Sequence, residues 1–276
     1  MTVRRARTAA GLLTGLMLSA CASAADRMEL AEKIARAGGL RSALAPAGAF
    51  TLQTWRRLDV RGAPLRVYIE GDGFAWIDRG TVSPDPTPRD PVALRLAARD
   101  RAPNVLYVAR PCQYLSPPGC GERYWTSHRF APEVVASVNR AIDVARAAIN
   151  APAVELIGYS GGGAVAVLAA ARRSDAAAIR TVAGNLDHVA LNRAKGVSPL
   201  AGSLNAADAA AAVAGIAQIH FVGGDDTVVE RFVADGYRRR AGRGDCVAIV
   251  VVPGASHEGG WEKDWPRLLA QPPPRC

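Results

Sequence analysis

Apolar runs bounded by turn residues recur along the chain at 105–108, 154–157, 180–183, 218–222 and 247–252. They lack the polar alternation of a half-solvated strand, which predicts strands buried on both faces. Between them lie stretches of helical periodicity at roughly 91–99, 132–149, 162–172, 206–214, 228–240 and 261–269. Upstream, an amphipathic stretch over 29–37 ends at Gly38-Gly39. The runs 50–58 and 65–69 then read as two strands joined near Arg61-Gly62. Strands alternating with helices predict an α/β domain with a doubly wound, mostly parallel sheet. In such a sheet the chemistry belongs to the residues just past the carboxyl ends of the strands.

Composition narrows the picture. The 276 residues are 49% apolar and 21% charged, and the mean hydropathy is +0.04. That is enough to bury one substantial core, and it excludes a disordered or collagen-like chain. Proline clusters at 83–88, 117–118 and 272–274 read as loops rather than linkers, and no internal repeat is visible. The formal charge of +9 falls to +6 without Arg4, Arg5 and Arg7. The remaining arginines are dispersed, with Arg238-Arg239-Arg240 the one run of three, so no nucleic-acid partner is expected.

The first segment carries a basic start, a short apolar stretch over 9–18, and then Leu18-Ser19-Ala20-Cys21. It is too short to span a membrane as a helix and reads as a signal peptide. The last four residues resemble the bacterial lipobox, which implies cleavage before Cys21 and a lipid on that cysteine. Ala22 after it, by resemblance to other bacterial lipoproteins, points to the outer membrane, with the protein facing the periplasm. The alternative is an ordinary secretory signal cut near Ala20-Cys21-Ala22. The expected layout is a lipoprotein signal peptide over 1–20, an N-terminal tether and helix over 21–48, and a single domain over 49–276.

Without Cys21 the cysteines are an even set in a compartment where disulfides persist: Cys112, Cys120, Cys246 and Cys276. Cys112 and Cys120 bracket a loop containing Pro117, Pro118 and Gly119, which favours pairing them and leaves Cys246 to fasten Cys276. A zinc site is the rival reading, but there is no Cys-x2-Cys and there are only four histidines.

Candidate chemistry begins after the run 154–157, where Gly158-Tyr159-Ser160-Gly161-Gly162 joins a strand to an Ala-rich helix. Gly-x-Ser-x-Gly in that setting makes a sharp turn that lifts a serine hydroxyl above the sheet. No Gly-Lys-Ser/Thr follows, which argues against a phosphate loop, and Gly-x-Gly-x-x-Gly is missing after the first strand, which argues against a dinucleotide enzyme. Two later strand ends supply an acid and a histidine: Gly223-Gly224-Asp225-Asp226-Thr227-Val228-Val229, then Pro253-Gly254-Ala255-Ser256-His257.

In this order of nucleophile, acid and histidine the sequence resembles the α/β-hydrolase superfamily over most of the chain after about residue 50. The resemblance implies an α/β-hydrolase-type sheet and a triad of Ser160, His257 and Asp226. Asp226 is selected over Asp225 because Gly223-x-x-Asp226-x-x-Val229 matches the family's acid turn. Asp187, in Asn185-Leu186-Asp187-His188 after another strand, is a competing acid, and His188 reads as a residue that shapes a pocket. His128 reads as a loop residue and His220 as a core residue. The oxyanion hole is expected from the amide of Gly161 and from that of Asp72 or Gly73, in Glu70-Gly71-Asp72-Gly73. There the family usually has histidine at the position of Glu70. Phe74, Trp76 and Trp125 are candidates to line an acyl pocket, and 185–206 is the candidate for a modest cap.

The implied chemistry is acyl transfer on a small ester or acyl substrate with no metal or organic cofactor. Serine at the elbow argues against dehalogenase chemistry. A serine peptidase is a further possibility within the family. The alternative from another class is a catalytically silent envelope lipoprotein that uses the fold to bind a ligand or a protein.

Overall fold

The computed structural model describes residues 23–242 and 245–276. Cys21 and the expected signal peptide lie outside the described residues. Helix α1 (Ala24–Ala37) is set by a capping box. The Ser23 hydroxyl accepts from the Asp26 amide (3.2 Å), and the Asp26 carboxylate accepts from the Ser23 amide (2.8 Å).

Eight strands form one sheet. They are β1 (Arg41–Ala47), β2 (Phe50–Leu58), β3 (Leu65–Ile69), β4 (Asn104–Val108), β5 (Val154–Tyr159), β6 (Ala176–Val182), β7 (Ala217–Gly223) and β8 (Val247–Val252). Their order is β1-β2-β4-β3-β5-β6-β7-β8. β1–β2 and β2–β4 pair antiparallel, and every later pairing is parallel. The runs expected as buried strands are largely buried in β4 to β7, where every residue of β4 is inaccessible, as are Leu156, Ile157, Ile179 and Phe221, but the edge strand β8 is only partly covered, with Val251 40% exposed.

Helices cover both faces, so the molecule has two cores. On one face α1, α2 (Val92–Arg99) and α7 (Trp265–Leu269) pack through Ala31, Leu94, Trp265 and Leu268 against Tyr68, Tyr107 and Phe221. On the other, α3 (Pro132–Ile149), α4 (Gly161–Ala170) and α6 (Phe232–Ala241) pack through Val138, Val165 and Val233 against Leu52, Val67 and Leu156. Helix α4 is buried along its whole length, which explains its run of glycine, alanine and valine: it is apolar all round because it is enclosed all round.

β2 and β3, joined through Arg61-Gly62 as expected, are not neighbours in the sheet, because β4 lies between them. The structure corrects several expectations. The sheet starts before residue 49, because β1 pairs along its whole length with β2. The helix expected over 206–214 is two short 3-10 turns, Ala206–Ala209 and Ala211–Val213. A further helix, α5 (His188–Lys195), follows β6. α6 starts at Phe232 rather than 228, because the Asp226 side chain takes the amides of Val228 and Val229 into a turn. Cys112 bonds Cys120 and Cys246 bonds Cys276, with Cα separations of 5.6 and 5.0 Å, as the loop argument expected.

Candidate active site

The site forms where β5 turns into α4. Ser160 holds φ +50° and ψ −120°, a conformation rarely adopted by a residue with a side chain. Three backbone bonds fix it there. Its amide donates to Val182 O, and its carbonyl accepts from the amides of Gly163 and Asn185, all at 2.9 Å. The flanking glycines are required by contact. A Cβ on Gly158 would lie 2.2 Å from Gly162 O, and one on Gly162 would lie 2.2 Å from Ile69 O. Any side chain at either position would push β5, α4 and the end of β3 apart.

His257 arrives from the loop after β8. Its Nε2 lies 3.0 Å from Ser160 Oγ and its Nδ1 lies 2.9 Å from Asp226 Oδ2. Trp261 Nε1 donates to the carbonyls of Ser256 (3.0 Å) and His257 (3.1 Å), holding the loop. Asp226, just past β7, is buried, and its other oxygen accepts from the amides of Val228 (2.8 Å) and Val229 (2.9 Å). Burial works to raise the Asp226 pKa, but the bonds from His257 and from the two amides outweigh it and hold the carboxyl below its ordinary value. The arrangement is a serine, a base within hydrogen-bond reach, and an ionised acid that orients the base.

The competing acids are elsewhere. Asp187 caps α5, accepting from the Ala190 amide (3.0 Å) and from Asn205 Nδ2 (3.1 Å). Asp225 is exposed, and its amide donates to Ala255 O (3.0 Å). His128 bonds its neighbour Ser127 (2.8 Å), and His220 is enclosed with Thr181 (2.9 Å), where burial lowers its pKa to about 3.

Opposite the elbow, the loop after β3 approaches Gly161. A Cβ on Gly161 would lie 2.1 Å from Asp72 Oδ1, so Asp72 stands directly against the first turn of α4. Gly73 instead faces Pro86 and Gln113, whose atoms would meet its Cβ at 2.0 and 2.6 Å. The amides of Gly161 and Asp72 donate to no other group among the described residues. Glu70, where the family resemblance leads one to expect histidine, is buried and braces this loop. Its carboxylate accepts from the amides of Gly71 (2.9 Å) and Ala93 (3.4 Å) and from the Tyr107 hydroxyl (3.1 Å). Burial raises its pKa to about 7.

Two residues that the sequence reading did not single out complete the site. Arg129 Nη1 lies 2.7 Å from Asp72 and Arg110 Nη1 lies 3.3 Å from it, and all three side chains are largely buried. Burial pushes Asp72 toward a raised pKa, yet the two guanidinium groups overcome it and hold the carboxyl below its usual range. Arg110 was findable as a residue just past the end of β4; Arg129, ahead of α3, carried no such signal. The aromatic candidates pack the loop over 74–89. Trp125 is buried and donates to Ser83 O (2.9 Å), Phe74 stacks on Arg89 (3.6 Å), and Trp76 is exposed in a bridge with Val82. Among the described residues, no group of three or more His, Cys, Asp or Glu is placed to hold a metal ion.

Neither a protein-family model nor a curated protein matches this sequence. Solved structures do match its fold. The Pyrococcus furiosus esterase Pf2001 superposes with a TM-score of 0.60 at 12% identity, over 83% of this chain and 90% of that one. The chain has the α/β-hydrolase fold. Est1E from Butyrivibrio proteoclasticus matches with a TM-score of 0.57 at 12% identity, over 80% of this chain and 93% of that one. An alpha-beta serine hydrolase homologue from Coxiella burnetii gives 0.54 at 14% identity, over 83% and 93%. In this α/β-hydrolase fold Ser160, Asp226 and His257 sit at the carboxyl ends of β5, β7 and β8, where the sheet topology concentrates chemistry.

Proposed function

We propose that this protein is a serine hydrolase that cleaves carboxylic esters through an acyl-enzyme on Ser160. The observation that carries the reading is the continuous set of hydrogen bonds from Ser160 Oγ through His257 to Asp226, at 3.0 and 2.9 Å. The name of one fold neighbour, the Pyrococcus furiosus esterase Pf2001, lends support.

Ser160 Oγ attacks the carbonyl carbon of the ester while His257 Nε2 takes the hydroxyl proton. The resulting oxyanion accepts from the amides of Gly161 and Asp72, which are free to donate. Gly73, whose amide is likewise without an acceptor among the described residues, is the other candidate in the β3 loop. The intermediate collapses, the carbon–oxygen bond to the alcohol breaks, and His257 returns the proton to the departing alcohol. Water then repeats the sequence on the acyl-enzyme and releases the acid. Asp226 fixes the proton of neutral His257 on Nδ1 and stabilises the imidazolium. Arg129 and Arg110 neutralise the Asp72 carboxylate, which would otherwise oppose the nearby oxyanion.

Hydrolysis of p-nitrophenyl esters of graded chain length tests the reading. Turnover that disappears in Ser160→Ala supports it; turnover retained in that variant overturns it. Labelling of Ser160 by a phosphonate with no ester turned over would favour the peptidase reading. A folded protein with neither activity would favour the ligand-binding one.

We also propose that Cys21 carries a lipid that anchors the protein to the bacterial outer membrane, facing the periplasm. The sequence Leu18-Ser19-Ala20-Cys21 supports it, and two disulfides in the folded domain suit an oxidising compartment. Cys21→Ala should move the protein from the detergent phase to the aqueous phase of a Triton X-114 partition. Unchanged partitioning would remove the anchor from the account.

A further inference from the structure

The five tryptophans divide sharply by exposure. Trp55, Trp125, Trp261 and Trp265 are buried, whereas Trp76 is 41% exposed, and its neighbour Ile77 is 52% exposed. Both stand near the tip of the loop between β3 and α2, and that tip is braced. Trp76 bridges Val82, and the Ile77 amide donates to Thr81 O (2.9 Å). Behind the tip, Trp125 Nε1 donates to Ser83 O (2.9 Å). A large apolar pair on a fixed projection keeps a contact with water that an unbraced loop could remove by folding down.

The projection belongs to the end of the sheet that holds the site. Trp76 follows Asp72 by four residues, so it lies within about 14 Å of the residue that stands against Gly161. Other loops past the carboxyl ends of strands add exposed apolar side chains: Val189 in the first turn of α5, after β6, and Val228 and Phe232 at the approach to α6, after β7. Helix α1 starts at the same end. In its first turn Arg27 donates to Thr87 O (2.6 Å) and pairs with the Asp85 carboxylate (2.8 Å), so the start of the helix lies against the Trp76 loop. Cys21 is two residues ahead of Ser23, the cap of α1, and two residues of chain reach about 7 Å at most. A lipid on Cys21 therefore leaves the protein beside this loop.

We propose that the anchored protein rests on the bilayer through this face, with Trp76 and Ile77 entering the lipid interface, which sets the end of the sheet that holds Ser160 toward the membrane. The proposal rests on the Cys21 anchor. Tryptophan suits that depth because its ring is apolar while its N–H keeps to water or headgroups. Two side chains are a small patch for holding a free protein on a bilayer. The tether keeps them at high effective concentration beside it, so a weak contact suffices.

The full-length chain, expressed with its own signal in a Gram-negative bacterium and reconstituted in phosphatidylcholine vesicles, tests this by tryptophan fluorescence. The zwitterionic lipid prevents the dispersed arginines from drawing the protein down by charge. Flotation of the vesicles reads the anchor. Exchange for phosphatidylcholine brominated near the top of its acyl chains reads the contact, because bromine quenches a tryptophan that reaches it. The floating protein should lose about a fifth of its tryptophan emission, the share of one tryptophan in five. Trp76→Phe should remove that loss, and Ile77→Asp, which puts a charge into the interface, should cut it by at least about half. A protein that floats without any loss, or a loss that persists in Trp76→Phe, overturns the docking and leaves the anchor standing. A protein that does not float refutes the anchor. The chain from Ala22 onward, held to nickel-chelating lipid by an amino-terminal hexahistidine tag, then decides the docking: a loss removed by Trp76→Phe supports it, and no loss overturns it.

Discussion

Replacing Asp226 by asparagine separates the role of this acid from mere shape. The side chain keeps its size, and its oxygen can still accept from Val228 and Val229 at 2.8 and 2.9 Å, so the turn after β7 is retained. What changes is the group facing His257 Nδ1, at 2.9 Å in the native protein. An amide NH2 there is a donor, so the neutral imidazole must present a lone pair at Nδ1 and carry its proton on Nε2. That proton then points at Ser160 Oγ, and the base can no longer take the serine proton. Loss of the correct tautomer in a serine–histidine–aspartate site lowers turnover by about 10⁴, or roughly 5.5 kcal/mol of barrier. The rate of fluorophosphonate labelling at pH 7 reads this without assuming a substrate, and circular dichroism checks the fold. Asp187→Asn and Asp225→Asn serve as controls and should stay within about threefold of wild type, since neither carboxylate meets His257. A folded Asp226→Asn protein that loses less than about thirtyfold, or an Asp187→Asn protein that loses more than Asp226→Asn, would refute the assignment.

The structure fixes further expectations. Asp72→Ala leaves Arg110 and Arg129 buried without their carboxylate, and urea unfolding should show a loss of about 3–5 kcal/mol; a change under 1 kcal/mol would mean the pair is solvated in practice. Glu70 binds its proton more tightly in the folded protein, with a pKa raised to about 7, so its favourable contribution is complete below the unfolded value and fades as pH rises through 7. The stability difference between wild type and Glu70→Gln should therefore shift by about 3 kcal/mol against wild type between pH 4.5 and 7.5, and a flat difference would contradict the raised pKa. Closing a separation of 30 residues constrains the unfolded chain more than closing 8, so loss of Cys246–Cys276 should cost about 3.5 kcal/mol and loss of Cys112–Cys120 about 2.5. Denaturant melts of the paired serine variants check that order.

Where sequence and structure agree, local pattern and tertiary setting make the same demand. The run over 154–157 is apolar because β5 is central, and glycine is dictated on either side of Ser160 because a Cβ there would meet backbone oxygen at 2.2 Å. Both causes leave marks in the residues themselves. β1 leaves none: it is an edge strand with Pro46 and a mostly exposed outer half, so no apolar run announces it. The sequence shows that β2 and β3 follow one another but not who their sheet neighbours are, because β4 returns between strands that are adjacent in the chain. Helix α5 is short and polar, and its capping aspartate, Asp187, read as a candidate acid because a cap and a catalytic carboxylate both follow strand ends. The pairing of Arg129 with Asp72 spans 57 residues and one crossover, and no local signal can carry it.

Every step proposed for this site needs Ser160 to be an activated nucleophile. Incubation of the folded, disulfide-bonded protein with a fluorophosphonate, followed by intact mass and peptide mapping, tests it most directly. The expected result is a single adduct on Ser160, absent in Ser160→Ala and slowed by at least about a thousandfold in His257→Ala. Absence of an adduct, or one that forms as fast without His257, would contradict it.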